Sequence, residues 1–185
     1  MDAEMGFSSY VWEAGVVFCR YFEKENVSFT GNKVIELGSG TGIVGILATL
    51  LGGNVTVTGQ PAILRQINNN ISINVPFACR HRSKVCALTW GEDQNNFNTD
   101  YDVVMDSDIV YSSSSYTALV DALGHLCSQR TTIYLASEFR SGNGSLSFHE
   151  VTLPGYFNCH VLDRLETKYI AVYKLTKLDS VDCKK

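Results

Sequence analysis

No stretch of the 185-residue chain approaches the roughly eighteen apolar residues that would span a bilayer, and Met1 to Tyr10 lack the apolar core of a signal peptide. The six cysteines (Cys19, Cys79, Cys86, Cys127, Cys159 and Cys183) form no Cys-x-x-Cys pair. A chain of this length does not need disulfide staples, so they read as reduced thiols. His81, His125, His149 and His160 have no metal-ligand spacing with one another or with the cysteines, so no zinc site is expected. Basic charge is not in excess either: 15 Lys and Arg against 19 Asp and Glu give a net charge of −4, which argues against wholesale binding to nucleic acid or anionic lipid. Internal repeats and low-complexity tracts are lacking. These absences together point to a soluble intracellular protein that binds another protein or a small molecule.

What is present suits one α/β domain, residues 1–185, with little room for a second. Hydrophobic residues make up 45% and charged residues 18%, enough to bury a sizeable core. Helical spacing runs from Tyr10 to Phe22, then a short strand Val34 to Leu37 leads through glycines into an apolar helix Ile43 to Leu51. A strand Val55 to Thr58 and a helix Ala62 to Ile73 repeat the alternation. Strands are predicted over Lys84 to Leu88, Tyr101 to Met105 and Thr131 to Ala136, with a helix Ser112 to Cys127 for which Ser112 to Ser115 offer N-caps. After a short helix Ser145 to Leu153, the strands Tyr156 to Leu162 and Lys168 to Leu175 lie too close together to be parallel. The predicted sheet has five parallel strands and a closing hairpin that carries one antiparallel strand, with residues 176–185 as a flexible tail.

Glu36-Leu37-Gly38-Ser39-Gly40-Thr41-Gly42 stands at the carboxyl end of the first strand, where α/β folds bind cofactors. Glycines allow a sharp turn and close approach, and the helix N-terminus offers unpaired N–H groups. Gly40 to Gly45 also satisfy the dinucleotide pattern GxGxxG, but two residues past the strand end, and the preceding Glu36 suits a ligand with an ammonium group better. Asp108-Ile109-Val110-Tyr111 lies beyond a later strand at the same sheet edge; both polar side chains can face one cleft, or Asp108 can cap a helix while Tyr111 packs. Leu88-Thr89-Trp90-Gly91 offers an indole to a flat heteroaromatic ring, and Trp12 is a second candidate wall, although core packing is the commoner fate of a single tryptophan.

Trp12-Glu13-Ala14, the run Val34 to Gly45, Leu88 to Gly91 and Asp108 to Tyr111, in this order and spacing, resemble the seven-strand, Rossmann-like S-adenosylmethionine-dependent protein-lysine methyltransferases of methyltransferase family 16. Phe22-Glu23-Lys24, Asn26-Val27, Pro61 and Ile133 to Ser137 are most similar to the methyltransferase-like 21 group and its elongation factor 1-alpha lysine methyltransferases. The resemblance implies S-adenosylmethionine as cofactor, with Gly38, Ser39 and Gly40 holding its methionine and ribose part. It places Trp12 and Ser107 against the cofactor, Trp90 beside the adenine, and Asp108 and Tyr111 in lysine recognition and catalysis. It also implies a monomer acting on a protein substrate in the cytoplasm, with the nucleus or centrosome as further sites, and without nucleic acid or membrane.

Two departures stand against these matches. In this fold an acid normally ends the second strand and accepts the ribose hydroxyls. That position is Gly59, within Thr58-Gly59-Gln60-Pro61, and no Asp or Glu occurs between Glu36 and Glu92. The loss is expected to weaken cofactor binding by about tenfold to a hundredfold, and Gly59→Asp to restore it. The family's additional segment before the Trp-containing helix is represented only by Met1 to Tyr10. A catalytically weak or inactive relative that uses the same cleft as a binding module is therefore the alternative expectation; a nicotinamide oxidoreductase is disfavoured by the off-register glycines and the missing acid.

Overall fold

The computed structural model describes residues 9–140, 142 and 144–178. Its strands arise where apolar runs meet turn residues: β1 (Lys33–Leu37), β2 (Asn54–Gly59), β3 (Ser83–Ala87), β4 (Val103–Ser107), β5 (Thr132–Glu138), β6 (Phe157–Leu165) and β7 (Ile170–Lys177). They form one sheet in the order β3-β2-β1-β4-β5-β7-β6. The first five are parallel, and β7 runs antiparallel to both β5 and β6, so the expected closing hairpin is present. Strand order reverses between β1 and β4, and a crevice outside the carboxyl ends is the binding position of such sheets.

Helices α1 (Glu13–Lys24), α2 (Ile43–Leu50) and α3 (Leu64–Asn74) cover one face, and α4 (Tyr116–Leu126) with residues 145–155 covers the other. Phe18 and Phe22 of α1 are fully buried with Val44 and Ile67, while Leu119 and Leu123 of α4 are buried with Phe148 and Leu153. Burying side chains of this size contributes about 1.5–3 kcal/mol each relative to exposure. Both faces being covered, the central strands β1 and β4 are buried at nearly every position.

Several element boundaries differ from the sequence pattern. Helix α1 starts at Glu13 rather than Tyr10, because Trp12 has extended backbone and Val11 is exposed. Strand β4 lies two residues later than predicted: Tyr101 is buried ahead of it, and the strand continues through the buried Asp106. Helix α4 begins after a 3-10 turn, Ser113–Ser115, and its N-cap Ser115 makes no side-chain capping bond, so the expected serine cap is absent. Residues 145–155 form successive α, π and 3-10 turns instead of one helix. Residues 176 and 177 of the expected tail belong to β7, which extends through Lys177; residues 1–8 and 179–185 lie outside the described residues. Cys19, Cys79, Cys86, Cys127 and Cys159 are free thiols, and Cys183 lies outside the described residues. Among the described residues no helix is long and apolar enough to cross a membrane.

Candidate active site

The carboxyl ends of β1 to β5 bring the sequence signals to one edge. After β1, Gly38, Gly40 and Gly42 all take left-handed backbone, with φ of 55°, 54° and 80°. A Cβ on Gly38 would stand 2.7 Å from Ile109 Cγ2 and 3.2 Å from Trp90 Cζ2. The loops after β3 and β4 therefore meet the glycine loop at one bare backbone position, and the three signals form one structure. Trp90 is only partly buried, with its body packed on the core around Leu88 and Ile109.

Ser39 and Glu36 are turned inward. The Ser39 hydroxyl and amide both donate to the Thr58 carbonyl, at 2.6 and 2.9 Å, and the Thr58 hydroxyl donates to the Glu36 carbonyl at 2.6 Å. This ties the glycine loop to β2. Glu36 was expected to face a ligand ammonium; it is fully buried, and its Oε2 accepts the Gly45 amide in the first turn of α2 at 3.0 Å. The left-handed N-cap Gly42 has no side chain, so Glu36 supplies the cap from the neighbouring strand. Burial pushes its pKa well up, the Gly45 amide opposes this, and Asp106 adds to the rise.

Past β2, a Cβ on Gly59 would stand 2.7 Å from Ile63 Cδ1 and 3.3 Å from Ile67 Cδ1. The apolar branches of α3 and the turn before it occupy the space in which an acidic side chain would begin. Gln60, the residue that follows, is exposed at the start of that turn.

The β4 and β5 ends are built differently. Asp108 has left-handed backbone, φ 61°, a conformation that costs a non-glycine residue about 1 kcal/mol and that Asp tolerates better than most. Its amide donates to the Ala136 carbonyl at 2.8 Å. Its Oδ2 pairs with Arg140 Nη2 at 2.5 Å, and its Oδ1 accepts only a 3.4 Å contact from the Glu138 amide. The same Arg140 nitrogen reaches Glu138 Oε2 at 2.7 Å, and the guanidinium lies 5.2 Å from the Trp12 ring centroid, within cation–π range. Burial raises the pKa of Asp108, and the guanidinium opposes that rise. Trp12 is positioned by α1, whose Glu13 pairs with Lys168 at the β6–β7 turn. Ser107 is small where α1 crosses: a Cβ on Gly15 would lie 3.4 Å from its Oγ.

The simpler roles considered for the Asp108 motif do not hold. Asp108 does not cap α4, which begins at Tyr116, and Tyr111 does not pack, being 61% exposed at the mouth of the edge. Two charged residues escaped sequence reasoning. Glu138 and Arg140 lie at and just past the true end of β5, which the pattern placed at Ala136; the rule that ligands gather at parallel strand ends would have found them. Asp106 is fully buried, and neither of its oxygens has a hydrogen-bond partner among the described residues.

Comparison with known proteins bears on this geometry. A family model for "Lysine methyltransferase" matches residues 2–152. The chain is 45% identical over 175 residues to the EEF1A lysine methyltransferase 3 of Xenopus tropicalis, covering 95% of this chain and 77% of that protein. It is 37% identical over 138 residues to the protein N-lysine methyltransferase METTL21A of Mus musculus, covering 74% of this chain and 63% of that protein. Among solved structures, a TehB-like SAM-dependent methyltransferase from Corynebacterium glutamicum superposes with a TM-score of 0.66 at 13% identity, covering 95% of this chain and 93% of the other. The glycopeptide N-methyltransferase MtfA, solved with sinefungin, gives a TM-score of 0.66 at 12% identity, covering 89% and 94%. At such identities the two structures speak to the fold alone.

Proposed function

The chain belongs to the lysine methyltransferase family, and from that premise we propose that it transfers methyl groups from S-adenosylmethionine to a lysine ε-amine of elongation factor 1-alpha. The observation that carries the substrate is the 45% identity across nearly the whole chain to a relative named for that reaction. A monomer acting on a protein in the cytoplasm, without nucleic acid or membrane, completes the reading.

The cofactor supplies an electrophilic methyl group on a sulfonium. The residues suit its methionine end, where half-exposed Gly38 and Gly40 present backbone without side chains; Trp12 and Ser107 would complete the wall there. At the ribose end Gly59 supplies no carboxylate, and Ile63 fills the adjoining space. Trp90, in the loop after β3, would border the adenine. Glu36 acts at one remove, by shaping the glycine loop through α2 rather than by touching ligand.

In-line displacement asks the protein chiefly to hold nucleophile and methyl carbon in near-attack geometry. Asp108 binds and aims the lysine; it is a poor base for it, because a nearby carboxylate stabilises the ammonium and raises its pKa. The proton would leave to water, favoured by desolvation of the amine in the cleft. Exposed Tyr111 guides the lysine stem at the entrance through its ring face or hydroxyl.

Transfer of a labelled methyl group to purified elongation factor 1-alpha tests the reading. Asp108→Ala is expected to lower kcat/KM by about a hundredfold or more. Equal labelling by the two forms removes Asp108 from the site. No labelling of elongation factor 1-alpha or any extract protein by the unaltered chain favours the binding-module alternative, to which the missing ribose acid lends support.

A further inference from the structure

Arg140 has no role in the family resemblance, yet it pairs with both Asp108 and Glu138 at the β4–β5 edge. One nitrogen, Nη2, serves both Asp108 Oδ2 and Glu138 Oε2, and its plane rests near the Trp12 ring. A guanidinium keeps its proton at any working pH, so it is a permanent cation on this edge. With both carboxylates ionised, two negative charges share one positive charge, leaving a single net negative charge, the complement of one lysine ammonium. Oδ2 of Asp108 is engaged, whereas among the described residues Oδ1 has only the 3.4 Å contact, which makes it the better placed of the two for substrate.

We propose that Arg140 is a positioning residue of the methyl-transfer site, setting both the charge and the aim of Asp108, with Glu138 as its anchor and Trp12 as its platform. The proposal rests on the reading of Asp108 as the lysine-binding group. Without Arg140, Asp108 would be a buried carboxyl on left-handed backbone, with Asp106 and Glu138 as its charged neighbours on β4 and β5. It would then protonate more readily and bind an ammonium poorly. Trp12 links the network to the start of α1, so a change in the cation is also felt at the amino-terminal wall of the cleft.

The test follows the Asp108 side-chain carboxyl by carbon-detected NMR during a pH titration of the full chain, beside kcat/KM for methyl transfer as a function of pH. Arg140→Gln is expected to move the Asp108 titration up by about one unit or more, because an opposite charge within a few ångströms shifts a carboxyl by that much. The acid limb of the rate profile is expected to move with it, kcat/KM to fall about tenfold or more, and Arg140→Lys to restore part of both. Glu138→Gln is expected to move the titration the other way, since it removes a like charge and leaves the guanidinium to Asp108 alone. Opposite shifts from the two variants exclude a merely structural effect, and the Glu138 arm still decides should Arg140→Gln fail to fold. An Asp108 titration unmoved by either substitution overturns the proposal. If the shifts appear but the unaltered chain methylates nothing, the proposed function fails while the Arg140–Asp108 coupling stands.

Discussion

The two sides of the strand-edge cleft are built from different materials. On the β1–β2–β3 side, the run from Leu37 to Trp90 contains no acid, and the edge is shaped by left-handed glycines, hydrogen bonds among Ser39, Thr58 and Glu36, and packing by Ile63, Trp90 and Ile109. On the β4–β5 side, Asp106, Asp108, Glu138 and Arg140 crowd the ends of two adjacent strands. Shape is the contribution of the first side and charge of the second. Substitutions on the first side should therefore show in stability and cofactor affinity, and those on the second in pH dependence and turnover.

The sharpest test of the shaped side is Gly38→Ala. A methyl group there meets Ile109 at 2.7 Å and Trp90 at 3.2 Å, on a backbone at φ 55° that alanine resists. Overpacking and the left-handed cost together predict a loss of about 3 kcal/mol in unfolding free energy by urea titration. A loss of only about 1 kcal/mol would mean that backbone conformation, rather than the junction of three loops, accounts for the glycine.

A comparable effect on the charged side is expected in acid. His149 is buried, shares a hydrogen bond of 2.9 Å with Ser137 of β5 and stacks on Tyr173 at 4.7 Å; burial lowers its pKa from 6.5 to about 4. The unfolded imidazole takes a proton near 6.5 and the folded one only near 4, so in that window the unfolded chain binds more protons. Its contribution is intact above 6.5 and is lost as pH falls toward 4, by about 3 kcal/mol in all. Buried Glu36 and Asp106 have raised pKa values and work in the opposite sense, so the check is the difference in slope between the parent and His149→Gln across the window. Parallel stability curves for the two would show that His149 accepts its proton within the fold.

Asp106 separates charge that serves a site from charge that merely sits near one. Burial raises its pKa well above the usual range, with Asp108 adding to the rise, and neither oxygen is hydrogen-bonded among the described residues. Asp106→Ala is expected to stabilise the fold by about 2 kcal/mol at neutral pH, by removing an unsatisfied buried group. The gain should shrink in mild acid, because the unfolded Asp106 no longer ionises there and the folded carboxyl stays protonated. Thermal midpoints at the two conditions are the measurement. A destabilised variant would mean that the Asp106 carboxyl is satisfied within the fold.

The same contrast explains what could be read from the sequence. Strand runs such as Val34 to Leu37 and the glycines after them are local signals, and they located the sheet, its closing hairpin and the edge carrying Gly38, Trp90 and Asp108. What the pattern missed depends on side-chain direction in three dimensions. Glu36 looks like a ligand group until α2 places the Gly45 amide against it, and Arg140 looks like a loop residue until β5 extends to Glu138. The serines before α4 have capping chemistry, yet the chain enters that helix through a 3-10 turn in which no serine side chain reaches the first helical amides.

The smallest expected effect bears most directly on the missing ribose acid. Restoring a carboxylate by Gly59→Asp is worth about tenfold in cofactor affinity if the side chain can reach the hydroxyls. The geometry puts a condition on that gain. The new Cβ lies 2.7 Å from Ile63 Cδ1, the far end of a flexible side chain, while Gly59 does not have the left-handed backbone that would forbid a side chain. Ile63 must turn aside, and the work of moving it offsets part of the benefit. Calorimetry with S-adenosylmethionine is therefore expected to show a modest gain for Gly59→Asp and a larger one for Gly59→Asp with Ile63→Val, which removes the terminal methyl closest to the new atom. Equal affinities across the parent and both variants would mean that the shaped side binds the cofactor through backbone and packing alone, and that no acid on the β4–β5 side is needed to compensate for Gly59.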